Sequence, residues 1–352
     1  MKPLIFSFFL LFSSLLFAQN VELYVGTYTV NTGGEGIYRY YFNTKTGELH
    51  HKLLVTKVKN PSFITLSKNK KKLFTVSENG ENGVVQSYSL NKGKSALISE
   101  TKSNGAAPCH ISLNKNNSTL VVSNYGGGTI ALYKVSKTGK IATAFQVFNH
   151  NIKQDKAHAH SAKFFKNNLF TADLGRDFLA QYVVKPDDSY QLKDTILMKD
   201  KAGPRHFEIS KKGKFIYVIN ELNSTISVLK NNNNNYTNIQ NINTLNTTYT
   251  GKNSCADIHL SKNQQFLYGS NRGENSIVVF KRNKKNGKLT KIQSIGVEGN
   301  WPRNFTLSPN GKFLLVANQY SNNICVFKVH KKTGKLNFVE DYKQASPVCL
   351  IF

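Results

Sequence analysis

The apolar positions of this chain alternate with polar ones over short stretches, and polar turns separate the stretches. The region from 302 to 340 shows the pattern most plainly, as PRNFTLS, PNGK, FLLVANQ, YSNN, ICVFKV, HKKTGK and LNFVE. Alternating apolar residues bounded by Asn-Gly and Thr-Gly pairs are typical of strands joined in hairpins. The sequence lacks long stripes of helical period, so the pattern predicts an all-β protein.

The same pattern occurs seven times. The copies begin with PSFITLS at 61, PCHISLN at 108, AHSAKFF at 159, PRHFEIS at 204, CADIHLS at 255, PRNFTLS at 302 and PVCLIF at 347, spaced by 45 to 51 residues. This period fits a four-stranded propeller blade of roughly 40 to 50 residues. The seventh copy stops after one strand, while VELYVGTY, GIYRYYFN and GELHHKLLVTK near the N-terminus supply three more. We therefore predict a seven-bladed β-propeller whose last blade is closed by strands from both chain ends.

The first 18 residues have the order of a secretory signal peptide. Lys2 precedes an apolar run from Leu4 to Phe17, and Ala18 precedes a polar segment. The run is shorter than the roughly 20 residues that a membrane span needs. We expect a signal peptide at 1–18 and a propeller domain at 19–352, exported to the periplasm or secreted, monomeric and without a transmembrane span. The bulky Leu16 leaves a retained anchor as the alternative.

The chain is strongly basic, with a formal net charge of +27. Such a charge attracts polyanions. The lysines, however, are spread over many turns without a basic helix or an arginine cluster, so we favour a solvated surface and expect no nucleic acid partner. The four cysteines lack C-x-x-C spacing, which favours free buried thiols over a zinc or redox site. They are Cys109, Cys255, Cys325 and Cys349.

The first strand of each blade lines the central channel of a propeller. Catalytic or binding residues are therefore expected at positions of this strand where the seven copies of the repeat differ. The position after the opening residue holds Ser62, Cys109, His160, Arg205, Ala256, Arg303 and Val348. The next position holds Phe63, His110, Ser161, His206, Asp257, Asn304 and Cys349. Because side chains alternate along a strand, His110 and His206 are predicted to face away from His160, whereas His158 shares its face.

A second pair of positions ends the following strand. The first holds Glu78, Asn124, Asp173, Asn220, Asn271 and Asn318, which we interpret as turn-forming residues of the blades. The position after it varies and is polar, with Asn79, Tyr125, Leu174, Glu221, Arg272, Gln319 and, from the N-terminal blade, Tyr28. The asparagine tract from 231 to 235 is predicted to be a long turn between outer strands.

Together these positions place a polar group at one mouth of the channel: His160, Arg205, Glu221, Arg272, Arg303, Tyr125, Gln319 and Tyr28. Arginines bind carboxylates and phosphates bidentately and stabilise a developing oxyanion. His160 or Glu221 can accept a proton from water or substrate. Alternatively, Glu221 only pairs with Arg205 or Arg272 to join blades. A metal at the H-A-H motif needs a third ligand, and the arginines would repel a cation, so we expect no metal.

Several strings of the sequence are specific in combination: YVGTYT, PCHISL with VSNYGGGTI, HAHSAKF, GPRHFEIS with INE, SNRGENSIVVF and WPRNFTLSPNGKFLLVANQ. They resemble the seven-bladed propeller lactonase family, which includes a bacterial type of 6-phosphogluconolactonase and the fungal carboxy-cis,cis-muconate cyclase. The resemblance runs from Tyr24 to Phe352. The cyclase site is proposed to hold a histidine, two arginines and a glutamate. By motif these fall on His160 (His158 is less favoured), Arg205, Arg272 and Glu221, and no cofactor is implied.

The resemblance implies a carboxylic-ester hydrolase that opens the lactone of a sugar acid, with His160, Arg205, Glu221 and Arg272 as its catalytic residues. The repeat positions add the expected substrate-binding residues His158, Tyr125, Arg303, Gln319 and Tyr28. The predicted signal peptide implies export, in which this chain differs from the cytoplasmic 6-phosphogluconolactonase. Export makes an unphosphorylated aldonolactone at least as good a candidate as a 6-phosphate. The alternatives are a lactonising enzyme acting on a muconate-type diacid, and a non-catalytic propeller that binds a sugar acid, a glycan or a protein.

Overall fold

The protein is described by a computed structural model that covers residues 20–91 and 94–352. In that part of the chain, seven four-stranded antiparallel sheets form the blades of a propeller. The predicted fold is confirmed. The predicted signal peptide lies outside the described residues.

The strands are numbered along the chain, and blades 1 to 7 in the order of their innermost strands. Blade 7 comprises β1 (Asn20–Thr27), β2 (Gly36–Asn43), β3 (Leu49–Lys57) and β28 (Pro347–Ile351). Blade 1 comprises β4 (Ile64–Leu66), β5 (Lys72–Ser77), β6 (Val84–Asn91) and β7 (Lys94–Lys102), with a short 3-10 helix at Gly80–Asn82. Blade 2 comprises β8 (Pro108–Leu113), β9 (Thr119–Asn124), β10 (Thr129–Val135) and β11 (Ile141–Asn149).

The remaining blades repeat this order from the channel outwards. Blade 3 comprises β12 (Ala159–Phe165), β13 (Asn168–Asp173), β14 (Phe178–Val184) and β15 (Tyr190–Leu197). Blade 4 comprises β16 (Pro204–Ile209), β17 (Phe215–Asn220), β18 (Thr225–Asn232) and β19 (Asn235–Asn243). Blade 5 comprises β20 (Ser254–Leu260), β21 (Phe266–Arg272), β22 (Ser276–Arg282) and β23 (Leu289–Gly296). Blade 6 comprises β24 (Pro302–Leu307), β25 (Phe313–Asn318), β26 (Asn323–Val329) and β27 (Leu336–Lys343).

Both chain ends close the ring in blade 7. The last strand, β28, pairs antiparallel with β1, so that Leu350 lies opposite Val25. Leu350 also packs in a buried cluster with Phe42 of the same blade and Phe313 of blade 6. Closure therefore joins the two ends of the chain to each other and to the neighbouring blade.

Apolar side chains between neighbouring blades form the core. Phe215 and Tyr217 of blade 4, for example, pack with Leu267 and Val278 of blade 5, and all four are at most 1% exposed. Fully burying one such side chain contributes about 1.5 to 3 kcal/mol. The four cysteines are buried and free, as predicted. This packing fixes the inner strands, and so the side chains that line the channel.

A β-bulge near the start of most inner strands changes which side chains enter the channel. In β8, β12, β16 and β24 the pairing register shifts across the second residue of the strand. A bulge adds one residue to a strand and breaks strict alternation. The ring of His206 consequently lies 5.2 Å from that of His160 and 5.6 Å from that of His110. The prediction that His206 faces away from His160 is therefore wrong, while the one for His110 stays a prediction.

The asparagine tract extends two strands instead of forming a long turn. The strand β18 runs to Asn232 and β19 begins at Asn235. Only Asn233 and Asn234 connect them, with φ angles of 53° and 69°. A two-residue hairpin turn with positive φ at both positions favours asparagine, so the predicted long turn is wrong.

Candidate active site

A single carboxylate lies between two arginines at one mouth of the channel. The Oε2 atom of Glu221 is 2.9 Å from Nε of Arg205 and 2.7 Å from Nη2 of Arg272. Arg205 comes from β16, Arg272 from the end of β21, and Glu221 from the residue that follows β17. The two arginines are 2% and 5% exposed. Blades 4 and 5 therefore hold two guanidinium groups close together in a buried setting.

Backbone carbonyls fix the orientation of both guanidinium groups. Nη1 of Arg205 donates to the carbonyl of Ala256 at 2.6 Å, and Nη2 of Arg272 donates to that of Cys255 at 3.1 Å. The Arg272 guanidinium also lies 5.2 Å from the ring centre of Trp301. Burial, followed by the charge of Arg205, lowers the pKa of Arg272 to about 10. Because this pKa is still well above 7, Arg272 is cationic at neutral pH.

The histidines of the H-A-H motif both contact Tyr125. The Tyr125 ring stacks on His158 at 4.5 Å and meets His160 edge-on at 5.6 Å. Nδ1 of His158 donates to the Tyr125 carbonyl at 3.0 Å. Burial, followed by the charge of Arg205, lowers the pKa of His160 well below its ordinary value. The imidazole of His160 is therefore neutral near pH 7 and able to accept a proton.

Arg303 forms a second cluster with Tyr28 and Glu78. Its guanidinium lies 5.1 Å from the Tyr28 ring centre and Nη2 is 3.8 Å from Oε2 of Glu78. The Tyr28 hydroxyl donates to the same carboxylate at 2.9 Å. Although burial opposes them, Tyr28 and Glu78 raise the pKa of Arg303 above its ordinary value.

Glu78 is therefore a residue of this mouth, and its interpretation as only a turn-forming residue of the blade is wrong. The available signal was a glutamate in a position that the other copies of the repeat fill with Asn or Asp. The backbone N of Gln319 donates to the Trp301 carbonyl at 3.0 Å, and its side-chain Oε1 is buried without a hydrogen-bond partner among the described residues. Its role in binding stays a prediction. Among the described residues, no group of three or more His, Cys, Asp and Glu is arranged to hold a metal ion.

The charges of the two clusters favour an anionic or carbonyl-bearing ligand. Three guanidinium groups, of Arg205, Arg272 and Arg303, are balanced by two carboxylates, of Glu221 and Glu78. With His160 neutral, the mouth keeps an excess of positive charge. Guanidinium N–H groups bind carboxylate, phosphate and carbonyl oxygens. Fold and site together define a β-propeller with an enzyme-like polar mouth on its channel.

The chain belongs to the family described as "Lactonase, 7-bladed beta-propeller", whose model matches residues 22–352. It is 39% identical over 306 residues to a 6-phosphogluconolactonase of Formosa agariphila, covering 81% of this chain and 86% of the relative. A 6-phosphogluconolactonase of Bacillus subtilis is 30% identical over 300 residues, covering 80% and 83%. The solved periplasmic gluconolactonase of Pseudomonas aeruginosa superposes with a TM-score of 0.88 at 29% identity, covering 94% and 98%. The protein is a lactonase-type carboxylic-ester hydrolase, similar to 6-phosphogluconolactonase.

The buried histidines predict that stability falls in mild acid. Burial, followed by the neighbouring His206, lowers the pKa of His110 well below 6.5, so below pH 6.5 the unfolded chain binds a proton that the folded one does not. The free energy of unfolding is therefore highest above pH 6.5 with respect to this group. Below pH 6.5 it falls by up to about 1.4 kcal/mol per pH unit of acidification for each such histidine. We expect His110→Gln to reduce this slope by about one proton between pH 6 and 4, as measured by urea unfolding. The exposed His330→Gln is the control, and equal slopes in all three proteins would contradict the assignment.

Proposed function

We propose that this protein hydrolyses the lactone of a sugar acid at the mouth formed by Arg205, Arg272 and Glu221. The observation that carries the proposal is the pair of buried guanidinium groups held by one carboxylate. Such fixed donors are suited to an oxygen that gains negative charge during acyl transfer. The family and the named relatives support the same chemistry.

The reaction needs stabilisation of the carbonyl oxygen when water attacks the ring ester. In the proposed mechanism, N–H groups of Arg205 and Arg272 donate to that oxygen as the tetrahedral intermediate forms. Both groups are already oriented by the protein, so little reorganisation is needed. The same arginines retain the carboxylate of the open-chain hydroxy acid until it leaves.

Glu221 then acts mainly by holding the two arginines together. Its Oε2 atom is shared between both guanidinium groups, which would otherwise repel each other. A carboxylate that is ion-paired with two guanidinium groups is a weak base, so Glu221 is not suited to accept the proton of the attacking water. A neutral imidazole of the channel fits that task better, and His160 lines the substrate position together with Tyr125 and His158.

The substrate is proposed to be an aldonolactone, unphosphorylated in the compartment that the signal peptide implies. Arg303 provides a third guanidinium beside the reacting pair, so an acidic substituent is also compatible with the mouth. A muconate-type diacid would use the same groups in the lactonising direction, and a substrate panel distinguishes the two reactions. Saturable binding without turnover would identify a binding-only propeller.

The arginine mechanism predicts a large loss of turnover from one substitution. Arg205→Ala should lower kcat/KM for glucono-δ-lactone by about 100-fold or more, because it removes a donor to the oxyanion. The assay follows acid release with a pH indicator, with and without EDTA, and subtracts spontaneous opening. Arg39→Ala is the matched control, since Arg39 is also buried and paired with a glutamate, Glu22 at 3.1 Å, but lies in the third strand out from the channel.

Equal activity of the two variants would contradict the assignment. Running the 6-phosphate lactone beside glucono-δ-lactone measures what the phosphate contributes. Turnover of diacids alone would favour the lactonising alternative.

We also infer export, from the order of charged, apolar and small residues over 1–18 and from the structural neighbour named as periplasmic. Among the described residues no helix is long and apolar enough to cross a membrane. We expect the mature protein to begin at Gln19, which fractionation followed by N-terminal sequencing measures. Leu10→Arg should block processing because it interrupts the apolar run. An unprocessed chain that remains in the cytoplasm would contradict export.

A further inference from the structure

A second imidazole, that of His206, adjoins Arg205 and His160 of the proposed reaction centre. His206 follows Arg205 directly in β16, and the bulge turns both side chains into the channel. Nδ1 of His206 donates to Oδ1 of Asp257 at 2.7 Å. Both residues are buried, at 5% and 2% exposure. This His–Asp pair joins β16 and β20, the inner strands of blades 4 and 5.

The Asp257 carboxylate is held on all sides. Its Oδ2 atom accepts from Nδ2 of Asn304 at 2.6 Å, from the backbone N of Phe305 at 3.2 Å and from Nε2 of His259 at 3.0 Å. Burial raises the pKa of Asp257, but His259 and His206 together outweigh burial and hold that pKa well below its ordinary value. Asp257 is therefore an ionised and immobile acceptor for His206.

This arrangement fixes the tautomer of His206. Because Nδ1–H donates to Asp257, Nε2 is the acceptor nitrogen, and Nη1 of Arg205 donates to it in a long hydrogen bond of 3.5 Å. Burial lowers the pKa of His206 to about 3, with Arg205 next in effect, and Lys163 adds to them while Asp257 opposes. The neutral rings of His110 and His160 also face it. His206 is consequently uncharged near pH 7.

A small cavity adjoins this imidazole. It is lined by Arg205, His206, Arg303, Asn304, Ser62 and Cys109, among others, and its water-accessible volume is about 10 Å³, close to what a single water molecule requires. Ser62 is 3% exposed, and its hydroxyl oxygen has no hydrogen-bond partner within the described residues. A buried hydroxyl without a partner in a polar cavity is suited to binding water.

We propose that His206, oriented by Asp257, is the base that activates the attacking water, and that this water binds in the cavity beside Arg205. The inference rests on the proposed lactone hydrolysis. Water oxygen bonds to the ring carbonyl carbon while its proton passes to Nε2 of His206. The ring C–O bond then breaks, and the proton returns from His206 to the ring oxygen, giving the open-chain hydroxy acid. Among the described residues, His160 forms no ion pair with a carboxylate, and its Nδ1 lies 3.9 Å from Sγ of Cys109; the proposal therefore assigns His160 to substrate binding.

The experiment compares His206→Gln with His110→Gln on glucono-δ-lactone. His110 is the matched control because it is a buried histidine at the same repeat position, 5.6 Å from His206, and pairs with no carboxylate in the described part of the chain. We expect His206→Gln to lower kcat by about 100-fold or more with little change in KM, as for loss of a general base. His160→Gln should raise KM more than it lowers kcat, and His110→Gln should leave both within about threefold.

Chemical rescue separates catalysis from structure. In His206→Ala, added imidazole should restore turnover in proportion to its unprotonated fraction, with no such effect in His110→Ala. Asp257→Asn should lower kcat by about 10- to 100-fold, as expected when the partner that orients a catalytic imidazole is changed. Circular dichroism and calorimetric binding of gluconate establish that each variant is folded.

Each outcome bears on one proposal. If wild-type protein opens no lactone in the panel, or Arg205→Ala is as active as wild type, the proposed function itself fails. If Arg205→Ala is impaired but His206→Gln keeps wild-type kcat, only the role of His206 is overturned. A folded His206→Ala protein that is inactive and unresponsive to imidazole would assign His206 to structure and also overturn it.

Discussion

The Glu221 carboxylate is the contact on which the rest of the site depends. Arg205 and Arg272 come from neighbouring blades and are almost fully buried, and two like charges brought together without water are costly. One shared carboxylate, with backbone carbonyls at Ala256 and Cys255, compensates that cost. Because the charges of both arginines are paired with Glu221 before any ligand arrives, their positions are set by the packing of blades 4 and 5 and do not require substrate.

The bulge in the inner strands allows two successive residues of one strand to enter the channel. With regular alternation, only one of two successive residues would enter the channel. The bulge in β16 brings in both Arg205 and His206, so that the site holds the His206–Asp257 pair beside the arginine cluster. Hydrogen bonds to Asp257 from His206 and Asn304 connect three blades. A propeller thus builds an active site from single residues of consecutive repeats, each held by its own blade.

The repeat pattern in the sequence was sufficient to predict the fold and much of the mouth. Seven copies of one strand pattern, with the last copy incomplete, lead directly to a ring closed by β28 and β1. Variation within the repeat identified Arg205, Glu221 and Arg272 from the sequence alone. Positions that vary in an otherwise uniform repeat are the ones expected to bind a ligand, because each copy contributes a different side chain there.

Other features depended on the three-dimensional structure. Strict alternation assigned His206 to the wrong face of its strand, because a one-residue bulge cannot be recognised from the alternation of apolar and polar residues. Glu78 was assigned to a turn because five other copies place Asn or Asp there, although a glutamate is longer and reaches Tyr28. The asparagine tract was expected to be a long turn, yet Asn tolerates the positive φ angles of a tight hairpin.

A crystal structure of the protein with gluconate, the open-chain product of glucono-δ-lactone, tests the central claim most directly. The account predicts that the gluconate carboxylate binds between Arg205 and Arg272, with one oxygen in hydrogen-bond distance of each guanidinium, and that a water molecule lies beside Ser62 and His206. Gluconate bound elsewhere on the propeller, with the Arg205–Glu221–Arg272 cluster unoccupied, would contradict it.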